Sequence, residues 1–174
     1  YKGEQIKIGS LRLSPEQKAI LEASGLKRNK LVGSDVDSTL LFRFLSSIVS
    51  HQINQGYPFA LAKYDSVFIE GNTLNAGLKV EKGKYISFDT IISEGNLVPG
   101  NTFMKRLLDI KKGDSYAHSK IITAGTRLND LQYAQQRIDP YIRFVNDKAS
   151  VIVTLDPKPA SRFDFLIGVL PQVK

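Results

Sequence analysis

Residues 107–116 read LLDIKKGDSY, the apolar end of one helical pattern followed by a glycine break. The apolar residues before the break recur at helical spacing and predict a short helix. They are Phe103, Met104, Leu107, Leu108 and Ile110. Gly113-Asp114 ends this helix, because glycine takes the left-handed backbone conformation at little cost. Further apolar residues then predict a second helix at roughly 117–136, so this stretch indicates two helices joined by a short turn.

Strand-like segments flank the helix pair. Upstream, Tyr85 to Glu94 (YISFDTIISE) alternates as a strand does, and downstream Pro140 to Asn146 and Ala149 to Asp156 form a hairpin. Asp147-Lys148 is the predicted turn of that hairpin. The order strand–helix–helix–strand–strand therefore occupies about 80 residues, which is a usual size for a small domain.

The first half of the chain repeats this order. Gln5 to Leu13 is a predicted strand, and residues 14–17 (SPEQ) combine a capping serine, a proline at the first helical position and a capping-box glutamine. A longer helix opens at Asp37 or Ser38 and stops at Gly56. Its apolar residues form a single stripe: Leu40, Leu41, Phe44, Leu45, Ile48, Val49 and Ile53. Strands 59–70 and 73–82 follow, joined at Gly71-Asn72.

The repeat predicts an α+β protein of two tandem βααββ domains, each a three-stranded sheet covered on one face by two helices. The first domain is expected at 1–83 and the second at 84–157. Residues 158–174 would begin a connection to a further part of the protein. The joint at Lys82-Gly83-Lys84 is very short, so we expect a semi-rigid arm.

This arrangement resembles POTRA domains, the polypeptide-transport-associated modules of the BamA superfamily. In the second unit the resemblance is carried by residues 92–96 (ISEGN), 107–116, 128–133 (LNDLQY) and the hairpin from Phe144 to Leu155. In the first unit it rests on residues 56–60 (GYPFA) and 69–72 (IEGN). Residues 162–168 (RFDFLIG) are similar to the segment that leads from the last POTRA domain into a membrane barrel.

The resemblance implies the periplasmic portion of an outer-membrane protein of a Gram-negative bacterium, attached to a C-terminal β-barrel. Its role would be to assemble or insert β-barrel proteins, and its partners would be unfolded or nascent outer-membrane polypeptides and accessory assembly proteins. It implies neither an enzyme nor a cofactor. A POTRA arm of a secretion transporter that exports one dedicated partner is the alternative.

In POTRA domains the strand after the two helices is usually a sheet edge, and an edge can accept an extended peptide as an additional strand. The resemblance therefore places the candidate peptide-binding residues on two segments. They are Ala60, Leu61, Ala62, Lys63, Tyr64, Asp65, Ser66, Val67 and Phe68 in the first domain, and Tyr141, Ile142, Arg143, Phe144 and Val145 in the second. The first segment is expected to be the main site because it is longer, with Lys63 and Asp65 discouraging self-pairing. Ordinary edge strands that bind nothing are the competing interpretation.

Composition narrows the function classes. The 174 residues are 42% apolar and 24% charged and include no cysteine, which excludes disulfides, thiolate metal sites and a cysteine nucleophile. The two histidines, His51 and His118, stand in no metal-binding or catalytic pattern, so neither a metal site nor catalysis is expected.

The net charge of +7 raises the question of nucleic acid. The basic residues are spread along the chain, and the densest cluster, at residues 27–30, is interpreted as a solvated loop. Aromatic residues on the predicted strands could stack on RNA bases, but more often pack a core or a domain joint. They are Tyr57, Phe59, Tyr64, Phe68, Tyr85 and Phe88. A nucleic-acid partner is therefore not expected.

Overall fold

The computed structural model describes residues 5–25 and 31–159. The first domain consists of β1 (Lys7–Arg12), α1 (Pro15–Ala23), α2 (Ser38–Ile53), β2 (Leu61–Glu70) and β3 (Thr73–Glu81). The second consists of β4 (Ser87–Glu94), α3 (Asn101–Leu108), α4 (His118–Asn129), β5 (Ala134–Val145) and β6 (Lys148–Pro157). The predicted α+β fold of two tandem βααββ units is confirmed. The basic cluster at 27–30 and the segment 162–168 lie outside the described residues.

Each domain has the same sheet topology. The strand order is β1-β3-β2 in one sheet and β4-β6-β5 in the other. The first strand pairs in parallel with the last, and the last two strands form an antiparallel hairpin. Parallel neighbours need a crossover, and the two helices provide it. Consequently β2 and β5, which follow the helices, are edge strands.

Local sequence explains where the first-domain helices begin. The Gln17 amide donates to Ser14 Oγ (3.2 Å) and the Ser14 amide donates to Gln17 Oε1 (2.8 Å), which completes the predicted capping box. At α2, the Thr39 amide donates to Asp37 Oδ1 (2.8 Å), so Asp37 caps this helix as expected. Both caps satisfy amides that have no partner within the helix.

Each sheet packs its inner face against its two helices. In the first domain Ile8, Leu11, Phe44, Ile48 and Leu78 are among the buried core residues. The second core is formed by residues of β4, β6, both helices and the adjoining loops: Ile86, Phe88, Ile91, Met104, Leu108, Ile110, Tyr116, Ile121, Ala124, Leu128, Ala149, Val151, Val153 and Leu155. Ile53, at the end of α2, also packs against this second core. The helical stripe of the first domain therefore reaches into its neighbour.

The boundary between α4 and β5 differs from the prediction. The helix ends at Asn129 rather than near 136, and β5 already begins at Ala134. Ala134 is fully buried, and the Gln136 amide group donates to the Gly125 carbonyl (2.8 Å). These tertiary contacts hold 134–139 in the sheet, and Pro140 is tolerated because β5 is an edge strand with register shifts on both sides of Ile138.

Three further expectations need correction. Ala60 is buried and lies just before β2 rather than in it; its amide closes a turn on the Tyr57 carbonyl (3.1 Å). The second hairpin turns at Asn146-Asp147, both with positive φ, rather than at Asp147-Lys148. Finally β5 has 12 residues and β2 has 10, so the first edge is not the longer one.

Candidate peptide-binding edges

The β2 edge is regular over its first half. Leu61 to Asp65 pair residue by residue with Glu81 to Gly77 of β3. A register shift follows between Asp65 and Phe68, where Ser66 has a φ of 48°. A bulge of this kind re-aims the strand and interrupts its edge. The regular stretch open to a partner is therefore Leu61–Asp65.

The β5 edge is regular over its second half. Tyr141 to Val145 pair without interruption with Ile152 to Lys148 of β6, whereas the stretch before Tyr141 contains the two register shifts. Pro140 has no amide hydrogen and cannot donate to an added strand. Each domain thus presents one uninterrupted five-residue edge, Leu61–Asp65 and Tyr141–Val145.

Exposed apolar side chains follow the β2 edge. Leu61 is 65% exposed, and Val67, Phe68 and Ile69 also face solvent. Tyr64 points the other way, where its hydroxyl donates to the Leu41 carbonyl of α2 (3.1 Å) and burial raises its pKa to about 12. This contact fixes the edge strand on its helix, while the exposed side chains remain available to a partner.

A groove runs beside β5, in the second domain. It has a volume of about 320 Å³ between α4 and β5, and its lining includes Ile122, Gly125, Thr126, Asp139 and Pro140. Ile122 is exposed to solvent on α4. The groove therefore lies ahead of the regular stretch Tyr141–Val145, where it exposes part of α4 beside the irregular half of β5.

An aromatic cluster joins the two domains. Phe59 contacts Phe144 of β5 edge-on, with ring centroids 5.0 Å apart, and Phe144 in turn lies 5.6 Å from Tyr116. On the other side of the joint, Tyr57 and Tyr85 meet at 5.6 Å. Edge-to-face pairs of this kind favour one relative placement of the rings. Phe59, Tyr57 and Tyr85 therefore belong to the joint, while Phe88 is buried in the second core.

Hydrogen bonds also cross the joint. The Ile86 amide donates to the Gly56 carbonyl (2.7 Å), and the Ser119 amide donates to Asn54 Oδ1 (2.9 Å). The residue before α4, Ala117, has no side-chain oxygen with which to cap the helix. Asn54 of the first domain supplies that cap instead. Together with the aromatic contacts, these hydrogen bonds restrict how the two domains can move relative to each other, so the joint is packed as well as short.

Sequence reasoning missed Asn54 and the strand residues Ala134–Asp139. Asn54 has no local signal as a cap, because the helix that it caps lies in the other domain. The sequence of Ala134–Asp139 (AQQRID) does not alternate apolar and polar residues, so no local pattern marks this strand. Pro140 further disfavours a strand that runs through it, because proline usually marks the end of an element.

Ion pairs reinforce the outer face of the second sheet. Arg137 donates twice to the carboxylate of Asp156, at 2.8 and 2.9 Å, and the Asn96 amide donates to the same group. The hydrogen bonds from Arg137, followed by that from the Asn96 amide, lower the pKa of Asp156. A carboxyl with a lowered folded-state pKa stabilises the fold above its ordinary pKa, and that stabilisation is lost as the pH falls through the lowered value.

We therefore expect the free energy of unfolding to fall on acidification below about pH 4, near the ordinary pKa of an aspartate. The Asp156→Asn variant should show a shallower fall over the same range, measured by urea unfolding at a series of pH values. Asp139→Asn, on the same strand as Arg137 but outside this ion pair, is the matched control. An Asp156→Asn profile as steep as that of the wild type would contradict the assignment.

Within residues 5–25 and 31–159, the chain holds no group of three or more His, Asp or Glu side chains placed to bind a metal. His51 lies on α2, and His118 lies on α4 beside the Tyr116 hydroxyl (3.3 Å). Over the same residues, none of the helices is both long and apolar enough to cross a membrane. The described residues thus offer two regular strand edges with exposed apolar side chains nearby.

Comparison with known proteins gives solved structures but no family model and no curated relative. The POTRA3–5 fragment of Haemophilus influenzae BamA is 21% identical with a TM-score of 0.58, and the match covers 88% of this chain and 62% of the fragment. Haemophilus ducreyi BamA lacking POTRA domains 1–3 is 17% identical with a TM-score of 0.64, covering 91% of this chain and 30% of that one.

POTRA domains 1–2 of the periplasmic domain of Anabaena Omp85 match at 10% identity and a TM-score of 0.52, covering 90% of this chain and 98% of theirs. The chain spans less than two thirds of the two BamA structures that it matches. At these identities the likeness concerns the fold. The chain has the fold of two consecutive POTRA domains.

Proposed function

We propose that this chain is a polypeptide-binding arm, facing the periplasm, of an outer-membrane protein that assembles or inserts β-barrel proteins. Its clients are unfolded or nascent outer-membrane polypeptides, which bind by adding a strand to β2 or β5. The observation that supports this most is the pair of regular edges, Leu61–Asp65 and Tyr141–Val145, each with exposed apolar residues alongside.

The physical argument starts from the backbone. An edge strand has amide and carbonyl groups without sheet partners, and an extended peptide can pair with them whatever its side chains are. Such pairing suits a protein that handles many clients of alternating sequence. The apolar residues near each edge add contact area for the apolar face of the client strand, which gives a preference for β-barrel segments over polar ones.

The fold similarity supports the location. Two of the similar structures are BamA proteins, and the Anabaena fragment is described as part of a periplasmic domain. The resemblance also implies accessory assembly proteins as partners. An arm that exports one dedicated partner would use the same edges, and it would differ by preferring one peptide over a panel of unrelated barrel strands.

Cysteine cross-linking tests the proposal, because the chain has no cysteine of its own. We expect a peptide that copies a barrel strand and carries one cysteine to form a disulfide with the Leu61→Cys variant. Val98→Cys is the matched control, since Val98 is equally exposed at 65% and lies in the loop between β4 and α3. The same peptide with prolines replacing some of its residues should not cross-link, because it cannot continue the hydrogen-bond ladder of the sheet.

Cross-linking that is as efficient at Val98→Cys as at Leu61→Cys would show only non-specific encounter and would contradict strand addition at β2. Equal yields with the proline-interrupted peptide would contradict it as well. A panel of unrelated barrel strands that all cross-link would favour assembly, and a single productive sequence would favour export of a dedicated partner.

A further inference from the structure

One end of each regular edge lies at the domain joint. β5 runs toward the joint and its regular stretch ends at Val145, just before the turn whose Asp147 contacts Lys84 (3.3 Å). β2 starts at Leu61, close to the joint, and runs away from it. A strand that pairs antiparallel with β5 and continues across the joint would therefore also meet β2 in the antiparallel sense.

A direct contact brings the ends of the edges together. Phe59, two residues before Leu61, packs against Phe144, one residue before Val145. The four side chains at this meeting point stay partly open to solvent: Phe59 is 54% exposed, Leu61 65%, Phe144 37% and Val145 56%. Apolar side chains thus line part of the gap between the two edges, next to the Lys84–Asp147 ion pair.

The joint also holds the edges at a constant spacing. The Gly56–Ile86 and Asn54–Ser119 hydrogen bonds lock the end of α2 to the second domain. A second binding event gains most from linkage when the distance between the two sites is already set. Two loosely hinged domains would lose much of this gain, because each client would first have to order the joint.

We infer that Tyr141–Val145 and Leu61–Asp65 form one composite edge that binds a single extended polypeptide across both domains. This inference rests on the proposed function. It adds that each arm binds one client segment, and it gives the length of that segment. Two five-residue stretches and a few residues across the joint require a client segment of about 14 residues at about 3.3 Å per residue. The client is one continuous strand with alternating apolar side chains, and it binds one copy per arm.

The test uses a fluorescent peptide of about 14 residues and three versions interrupted by proline in the first half, the second half or both. Placing the interruptions in the peptide leaves the folded protein unchanged. We expect the uninterrupted peptide to bind about 100-fold more tightly than either half-interrupted peptide. The doubly interrupted peptide should not bind.

If the uninterrupted peptide binds no more tightly than the better half-interrupted one, the edges act independently and the composite edge is wrong, although strand addition stands. If none of the peptides binds, strand addition itself fails and the inference with it. The two failures are therefore distinguishable.

The direction in which the peptide lies along the composite edge gives a second readout. Lys63→Cys and Arg143→Cys place single thiols at exposed positions on the two edges. A peptide with a cysteine in its first half should cross-link to one of these variants only, and a cysteine in its second half to the other. Equal cross-linking of each peptide to both variants, or binding of two peptides per protein, would overturn the composite edge.

Discussion

Replacing Gly95 with alanine is expected to destabilise the second domain by about 2–5 kcal/mol, the sum of a backbone cost and a steric cost. Gly95 has a φ of +100°, a conformation that costs a side-chain-bearing residue about 1–2 kcal/mol. An added Cβ would also collide with the Leu155 carbonyl oxygen of β6, a group that already accepts the Leu97 amide at 3.0 Å. Relieving such a collision by shifting packed backbone typically costs a further 1–3 kcal/mol or so.

Gly113→Ala is the matched control for this prediction. Gly113 has a similar φ of +90°, but an added Cβ would meet open space. Urea unfolding followed by circular dichroism should therefore show a loss of only about 1–2 kcal/mol for this variant. Equal losses for the two variants would mean that the contact between Gly95 and Leu155 does not constrain the fold.

Replacing Gly56 with alanine is expected to uncouple the two domains. Gly56 has a φ of +96°, and an added Cβ would overlap the ring of Tyr85, which packs on Tyr57 and hydrogen-bonds to Ser115. Moving that ring breaks the aromatic contact and strains the Gly56–Ile86 hydrogen bond next to it. The combined cost is about 2–5 kcal/mol, from the backbone conformation and the overlap together.

For Gly56→Ala we expect the two domains to move more independently of each other, in addition to a loss of stability. Nitrogen relaxation measured by NMR should show the wild-type domains tumbling as one body and the variant domains tumbling more independently. Gly71→Ala, at a positive-φ turn with open space around it, should cost stability without changing the shared tumbling. Domains that still tumble as one body in the Gly56→Ala variant would contradict the role assigned to this joint.

Much of the fold could be predicted from local signals. The SPEQ capping box, the Asp37 cap and the apolar stripe of α2 are encoded within a few residues, and the structure reproduces all three. The hairpin at Gly71-Asn72 is equally local, since its glycine takes a positive φ of 57°. Such signals define the elements and their order, and order combined with element length favours the βααββ unit.

The start of β5 could not be predicted in this way. Ala134 and Gln136 belong to the strand because of the sheet and helix that they touch, and those contacts come from residues distant in sequence. Local preference is a weak guide where tertiary contacts of this kind decide the conformation. The prediction that the first edge is the longer one was therefore wrong.

The candidate edges were predicted only through the resemblance to POTRA domains. Which strand lies at an edge depends on the parallel pairing of β1 with β3 and of β4 with β6, which no local pattern specifies. The contact between Phe59 and Phe144 likewise joins residues far apart in the chain. The sequence predicts a short joint. The cap that Asn54 supplies to α4 and the aromatic packing at the joint are visible only in the structure.

The most direct test of strand addition is backbone amide NMR of the labelled chain, titrated with a barrel-strand peptide and separately with a short oligonucleotide. Strand addition predicts peptide-induced shifts concentrated at Leu61–Asp65 and Tyr141–Val145, and no comparable response to the oligonucleotide. No response to the peptide, together with shifts at Lys27, Arg28 and Lys30 on adding the oligonucleotide, would contradict it and would indicate a nucleic-acid-binding protein instead.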